Sequence, residues 1–119
     1  MGLTTVSVTI TNLNQPTKKT TGKFTVDTGA AYTVVPYPMW QKLNLKSVKV
    51  QEFTLADGTS VTRKLGHAMI EVNGDKAPST VVIGEPGDSA LLGVITLENM
   101  GLMVDPFKRQ LRPMKLMLA

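Results

Sequence analysis

Val26-Asp27-Thr28-Gly29-Ala30 places one carboxylate on a tight loop between two apolar segments. A strand-like run, Gly22 to Val26, leads in, and a small, apolar run, Ala30 to Val35, leads out. An ionised Asp in such a frame is costly unless it is hydrogen-bonded or paired. Costs of that kind are concentrated at functional sites. Gly29 suits a tight turn and a close backbone approach, and Thr28 brings a hydroxyl that can tie the loop down. Alone the tripeptide is a weak signal, because Asp-Thr-Gly is also an ordinary turn sequence.

The flanking chain reads as short strands. Thr4 to Thr11 alternates, with Val6, Val8 and Ile10 on one face. Asn12 to Lys19 forms a polar turn, and Thr21 to Val26 is the second strand. Thr33-Val34-Val35 is a short β-branched run, after which Pro36 opens a short helix, Tyr37 to Leu43, ended by Asn44. Val48 to Leu55 and Val61 to Val72 are strands around Ala56-Asp57-Gly58-Thr59, where Asp-Gly signals a hairpin with a primed turn. Asn73-Gly74 repeats that signal before a strand over Ala77 to Ile83. Leu91-Leu92-Gly93 is a short buried strand. Thr96 is placed to cap a helix through Met100, with Gly101 past its end. Leu102 to Val104 is again strand, and Gln110 to Leu118 returns as a final strand pair. Many short strands with two short helices predict an all-β closed or partly closed sheet, as a barrel or sandwich, and not a βαβ fold.

Composition narrows the function. With 119 residues the chain is read as one domain, 1–119. It has no cysteine, which excludes a disulfide framework and fits a reducing, cytoplasmic setting. The first residues lack the basic and apolar regions of a signal peptide, and no apolar run approaches a membrane span. The net charge of +4 is scattered and aromatics are only 5%, so the concentrated basic, aromatic face of a nucleic-acid reader is not there. His67 is the only histidine, which makes a zinc site poor, and no Gly-x-Ser-x-Gly surrounds Ser89. Gly84 and Gly87 fit no phosphate-loop spacing. No metal or cofactor is expected. Asp57, Asp75, Asp88 and Asp105 sit in turn contexts and do not rival Asp27. Met39 and Trp40 read as core.

Peptide hydrolysis needs a base to activate water and an acid to polarise the carbonyl. Two carboxylates sharing one proton do both, because like charges a few ångström apart cannot both ionise. This chain has one such loop. A two-fold homodimer supplies the second carboxylate, with the loop of each subunit meeting its twin on the axis.

Asp27-Thr28-Gly29-Ala30 resembles the active-site loop of the retropepsin-like aspartic proteases. Leu91-Leu92-Gly93, followed by a short helix and a returning strand, resembles their second hallmark. The hairpin Phe53 to Leu65, with Asp57-Gly58 at its tip, fits their substrate-covering flap. The likeness looks closest to small prokaryotic members, through Met1 to Thr4, Leu91 to Val94, Gly101-Leu102, Val104 to Pro106 and Leu111 to Pro113. It implies a homodimeric acid-protease fold with Asp27 catalytic and Thr28, Gly29 and Ala30 in the active-site loop. It also implies that Ala56, Asp57, Gly58 and Thr59 cover an extended peptide. Interleaved chain ends, here Met114 to Leu118, would stitch the dimer. Two positions depart from the viral pattern: Ala31 and Val94 stand where an Asp and an Arg pair beside the active site. Both partners are absent together, so no charge is left unpaired. The alternative to an aspartic endopeptidase is a dimer of the same fold with weak or no catalysis, serving as a peptide-binding or assembly module.

Overall fold

The alternating segment near the start forms β1 (Thr5–Thr11). Val8 and Ile10 are fully buried while Thr5 and Ser7 are exposed, as a period of two requires. In this computed structural model, which describes residues 3–118, the chain continues through β2 (Lys19–Val26), β3 (Thr33–Val35), α1 (Tyr37–Leu43), β4 (Lys49–Thr54), β5 (Ser60–Val72) and β6 (Asp75–Ile83). It ends with β7 (Leu91–Leu92), α2 (Val94–Met100), β8 (Leu102–Asp105) and β9 (Gln110–Pro113). Met1 and Gly2 of the opening string lie outside the described residues.

Pairing runs β1-β2-β7-β3-β6-β5, and β5 returns to β1 with Ile10 opposite Ile70, so these strands close a ring. The β2–β7 and β3–β6 pairs are parallel and the others antiparallel. β4 hangs on β5 outside the ring, and β8 and β9 form a separate two-stranded sheet. Ring closure leaves few free edges, and the fold is all-β with two short helices, as expected. Val8, Ile10, Phe24, Ile70 and Leu92 are fully buried inside it. Val6, Met39 and Trp40 pack on that core half-buried. Trp40 also donates its indole N–H to the Gly84 carbonyl at 2.7 Å, tying α1 to the end of β6.

The expected Pro36 start and Asn44 stop of α1 are both present; Asn44 takes left-handed φ 54°, and N–H groups of the cap bond the Gln41 and Trp40 carbonyls. Asn12, read from sequence as part of a polar turn, is buried. Its amide donates to the Leu43 carbonyl at 2.8 Å, and its oxygen accepts the Asn14 and Gln15 N–H groups. One side chain therefore fixes both the first turn and the end of α1.

Three local expectations are corrected. The two hairpin turns differ: Asn73 (φ 51°) and Gly74 (φ 89°) both take left-handed conformations in a two-residue primed turn, whereas at the other tip only Gly58 (φ 88°) does. There Leu55 donates to Thr59 at 2.7 Å and Gly58 to Leu55 at 2.9 Å, giving a three-residue loop. Asp57 uses its carboxylate on the Thr59 N–H and hydroxyl instead of taking up positive φ. Secondly, α2 starts at Val94 with Gly93 as its cap residue, and Thr96 is buried inside it and caps nothing. Thirdly, strand structure ends at Pro113, which pairs with Leu102, the first residue of β8, so residues 114–118 run past the end of their partner strand. Met114 still donates to the Gly101 carbonyl, after which Leu116, Met117 and Leu118 are exposed.

Candidate active site

The Asp27 loop is positioned by backbone bonds from two directions. Thr25 donates to Ala90 at 3.1 Å and Asp27 to Leu92 at 3.0 Å, so β7 holds the loop where it leaves β2. The first N–H groups of α2 are unsatisfied within the helix. Val94 donates to the Ala30 carbonyl at 2.9 Å and Ile95 to the Ala31 carbonyl at 3.0 Å, so α2 holds the loop where it enters β3. This is why α2 needs no side-chain cap. Inside the loop Gly29 donates to an Asp27 carboxylate oxygen at 2.9 Å, and Ala30 closes a turn onto the Asp27 carbonyl at 3.1 Å. A Cβ on Gly29 would stand 3.2 Å from that oxygen.

Leu91-Leu92-Gly93 passes directly behind the loop. A Cβ on Gly93 would lie 2.4 Å from the Tyr32 carbonyl carbon and 2.8 Å from the Thr33 nitrogen, so only glycine fits. Below this crossing lies a buried hydroxyl network absent from the sequence reading. The Thr96 hydroxyl is 2.7 Å from that of Thr33 and 2.9 Å from that of Ser79, and Thr33 accepts the Gly93 N–H at 3.0 Å. Hydroxyl positions buried in strands and helices look like ordinary core or cap positions in sequence, so nothing in their spacing marks them.

Asp27 is half-buried, while Thr28 and Gly29 are exposed at the surface of the single chain. A cavity of about 430 Å³ opens beside Gly29 and Ala30, with Val34, Phe53, Val61 and Leu91 among its walls. Tyr32 meets Phe53 edge-on at 6.0 Å between ring centres, linking the segment after the loop to the hairpin. The structure thus brings the Asp27 loop, the Leu91–Gly93 crossing and the arms of the β4–β5 hairpin to one cleft. The tip residues Ala56 to Thr59 project into solvent and do not line it. Hydrogen bonds from Thr59, its hydroxyl first, hold the exposed Asp57 carboxyl below its usual range.

One charged feature of the cleft was not predicted. Arg63, on the hairpin arm β5, meets Asp88, in the loop before β7, through two bonds: Nε to Oδ2 at 2.7 Å and a terminal nitrogen to Oδ1 at 3.0 Å. Asp88 also accepts the Glu85 N–H at 2.8 Å. The Arg63 hydrogen bond, outweighing the opposing effect of burial, holds the Asp88 carboxyl below its ordinary 3.8, and the same bond raises Arg63. A carboxyl lowered by folding stabilises above its unfolded value and loses that contribution as pH falls through the folded value. Asp88→Asn is therefore expected to lower stability at neutral pH by roughly 1 kcal/mol, since both side chains stay partly in water. The difference from wild type should vanish once the pH is taken well below 3.8. Urea unfolding of both forms across that range checks this.

A closed ring of strands carrying an Asp-Thr-Gly loop, crossed from behind by an apolar-apolar-Gly segment, is an all-β aspartic protease fold. Residues 15–99 match the family model described as "gag-polyprotein putative aspartyl protease", and the chain belongs to this retropepsin-like aspartyl protease family. The matched stretch starts in the turn after β1 and ends inside α2, so it contains the Asp27 loop, the hairpin and the Leu91–Gly93 crossing. No curated protein matches the chain significantly. Among the described residues, no helix is long and apolar enough to cross a membrane.

Proposed function

We propose that two copies of this chain form an aspartic endopeptidase in which Asp27 of each copy contributes one carboxyl group to a shared pair. The observation that carries this reading is the placement of Asp27. It sits on a loop bonded to β7 and α2 from behind, with Thr28 and Gly29 exposed in front at the mouth of an apolar cleft. A partner loop meeting this one across a two-fold axis brings the two carboxyls together and covers that exposed surface. The ionised member takes a proton from water as the oxygen attacks the peptide carbonyl, and the protonated member gives its proton to the carbonyl oxygen. Collapse of the tetrahedral intermediate breaks the C–N bond, with a proton passing to the leaving nitrogen. Gly29 and Ala30 line the cleft, Thr28 braces the loop at the axis, and the β4–β5 hairpin covers an extended substrate, its tip at Ala56 to Thr59.

The chain end supports pairing of two copies. Leu116, Met117 and Leu118 are 71%, 82% and 102% exposed in one protomer, a run of apolar surface that a subunit interface would cover. The absence of an Asp–Arg pair at Ala31 and Val94 is the feature favouring the peptide-binding alternative over hydrolysis. Peptide cleavage measured against pH decides between them. A shared pair gives a bell-shaped profile on the acidic side, whose two apparent pKa values belong to the pair. A dimer that binds peptides but cleaves none at any pH would establish the binding module instead.

A further inference from the structure

A second cavity, of about 350 Å³, lies away from the Asp27 loop, between the turn after β1, the segment joining α1 to β4, and β5. Asn12 follows Thr11, whose partner is Lys19 at the start of β2, whereas Asp27 follows the last residue of that strand. The length of β2, roughly 25 Å, therefore separates the two sites. The walls are fixed before anything enters. Asn12 commits its whole side-chain amide to the Leu43 and Asn44 carbonyls and to the Asn14 and Gln15 N–H groups. Val48 donates to the Leu65 carbonyl at 2.7 Å. A Cβ on Gly66 would stand 2.8 Å from the Lys46 carbonyl oxygen, so this segment is seated directly on β5. Such a volume within fixed walls is that of a small-molecule site.

Leu13, Leu45 and Val48 give this cavity an apolar side. Asn14, Gln15, Asn44 and Lys46 also line it, and none of these four side chains has a hydrogen-bond or ion-pair partner among the described residues. His67 adds its ring. The Thr80 hydroxyl, 3.3 Å from Nδ1, can donate to that nitrogen, which keeps the ring proton on Nε2. No carboxylate lines the cavity, and the one carboxylate of β5, Glu71, faces Lys76 at 3.9 Å. Unpartnered donors and an ammonium beside an apolar side suit a carboxylate carried on a short apolar body. A cation would be repelled by Lys46, and a bare anion would leave the apolar side in water. We propose that this cavity is a binding site, separate from the Asp27 cleft, for the carboxylate of a small apolar acid. The Lys46 ammonium and the His67 Nε2–H hold the carboxylate, and Leu13, Leu45 and Val48 cover its body. The acid is free or forms the C-terminal residue of a peptide. Peptide hydrolysis releases chain ends of this kind, yet the site stands without that reading, because its test needs no cleavage.

The experiment titrates the isotope-labelled full chain with N-acetyl-leucine and follows the backbone amide signals by NMR at constant pH and ionic strength. The signals of Asn14, Gln15, Lys46 and His67 are expected to shift together. N-acetyl-leucine amide, which lacks the carboxylate, and acetate, which lacks the apolar body, should each bind about tenfold more weakly or not at all. Lys46→Met and His67→Phe should each weaken N-acetyl-leucine about tenfold, as loss of a hydrogen bond to a charged group does. Lys46→Arg should keep the wild-type affinity, which marks the charge and not the packing of the stem as the cause. A peptide of three glycines ending in leucine separates the two sources. Binding at least as tight as that of N-acetyl-leucine assigns the site to chain ends, and weaker binding assigns it to a free acid. The proposal is overturned if no signal shifts, if only signals of the Asp27 cleft shift, or if the amide or acetate binds as well as N-acetyl-leucine. It is equally overturned if Lys46→Met and His67→Phe bind as wild type does.

Discussion

Asp27→Asn is expected to remove peptide hydrolysis, by about 10³-fold or more, while leaving the fold intact. The substitution keeps an oxygen where Oδ1 accepts the Gly29 N–H at 2.9 Å, so the bond that shapes the loop survives. The backbone bonds from Asp27 to Leu92 and from Val94 to Ala30 do not involve the side chain at all. Stability should therefore stay within about 0.5 kcal/mol of wild type. What disappears is the capacity to hold and release a proton, since an amide neither serves as base nor shares a proton with a partner carboxylate. Thermal melts beside peptide cleavage check both halves. Hydrolysis that persisted in a well-folded Asp27→Asn form would place the chemistry on another residue.

Gly93→Ala is expected to have the largest effect on stability. The added methyl would lie 2.4 and 2.5 Å from the carbonyl carbon and oxygen of Tyr32 and 2.8 Å from the Thr33 nitrogen. These are backbone atoms, and they cannot move away cheaply. Thr33 begins β3, which pairs with β6 at Val81 and with β7 through Val34 and Leu91. Gly93 itself is held to the Thr33 hydroxyl, and the next residue to the Ala30 carbonyl. Relief of the clash breaks one of these contacts, at a cost of about 3 kcal/mol or more. For a chain of this size that lowers the melting temperature by roughly 10 °C. Because the displaced segment carries the Ala30 and Ala31 carbonyls, the Asp27 loop loses its support too. Activity should fall even at temperatures where the variant is folded. A melting temperature unchanged within a degree or two would show that the crossing is looser than its geometry implies.

Much of this architecture is legible in local sequence because the causes are local. The alternation of Val6, Val8 and Ile10 marks one buried face, Asn73-Gly74 permits a turn few other pairs allow, and Asn44 stops a helix that Pro36 starts. The Asp27 loop is legible for the same reason, as a carboxylate and a glycine between apolar runs. What stayed hidden depends on partners distant in the chain. Thr96 reads as a helix cap, yet the loop carbonyls satisfy the N–H groups of α2, and its hydroxyl turns inward to Thr33 and Ser79. Arg63 and Asp88 are 25 residues apart, one in a strand with exposed neighbours and one in a turn, and only the folding of the hairpin arm towards the loop before β7 joins them. Asn12 is likewise an ordinary turn residue until the end of α1 is laid against it. The strand pattern of residues 114–118 was legible, but a strand also needs a partner strand, and β8 begins at Leu102 opposite Pro113, so the ladder stops there.

The shared pair of carboxyls is tested most directly by mixing. Wild-type chain is combined with increasing proportions of Asp27→Asn chain at constant total concentration, subunits are allowed to exchange, and cleavage of one peptide is measured. If each site is built from both copies, every mixed dimer is inactive, and activity falls as the square of the wild-type fraction. Activity that fell only in simple proportion to the wild-type fraction would mean that each chain works alone, and the shared Asp27 pair would be contradicted.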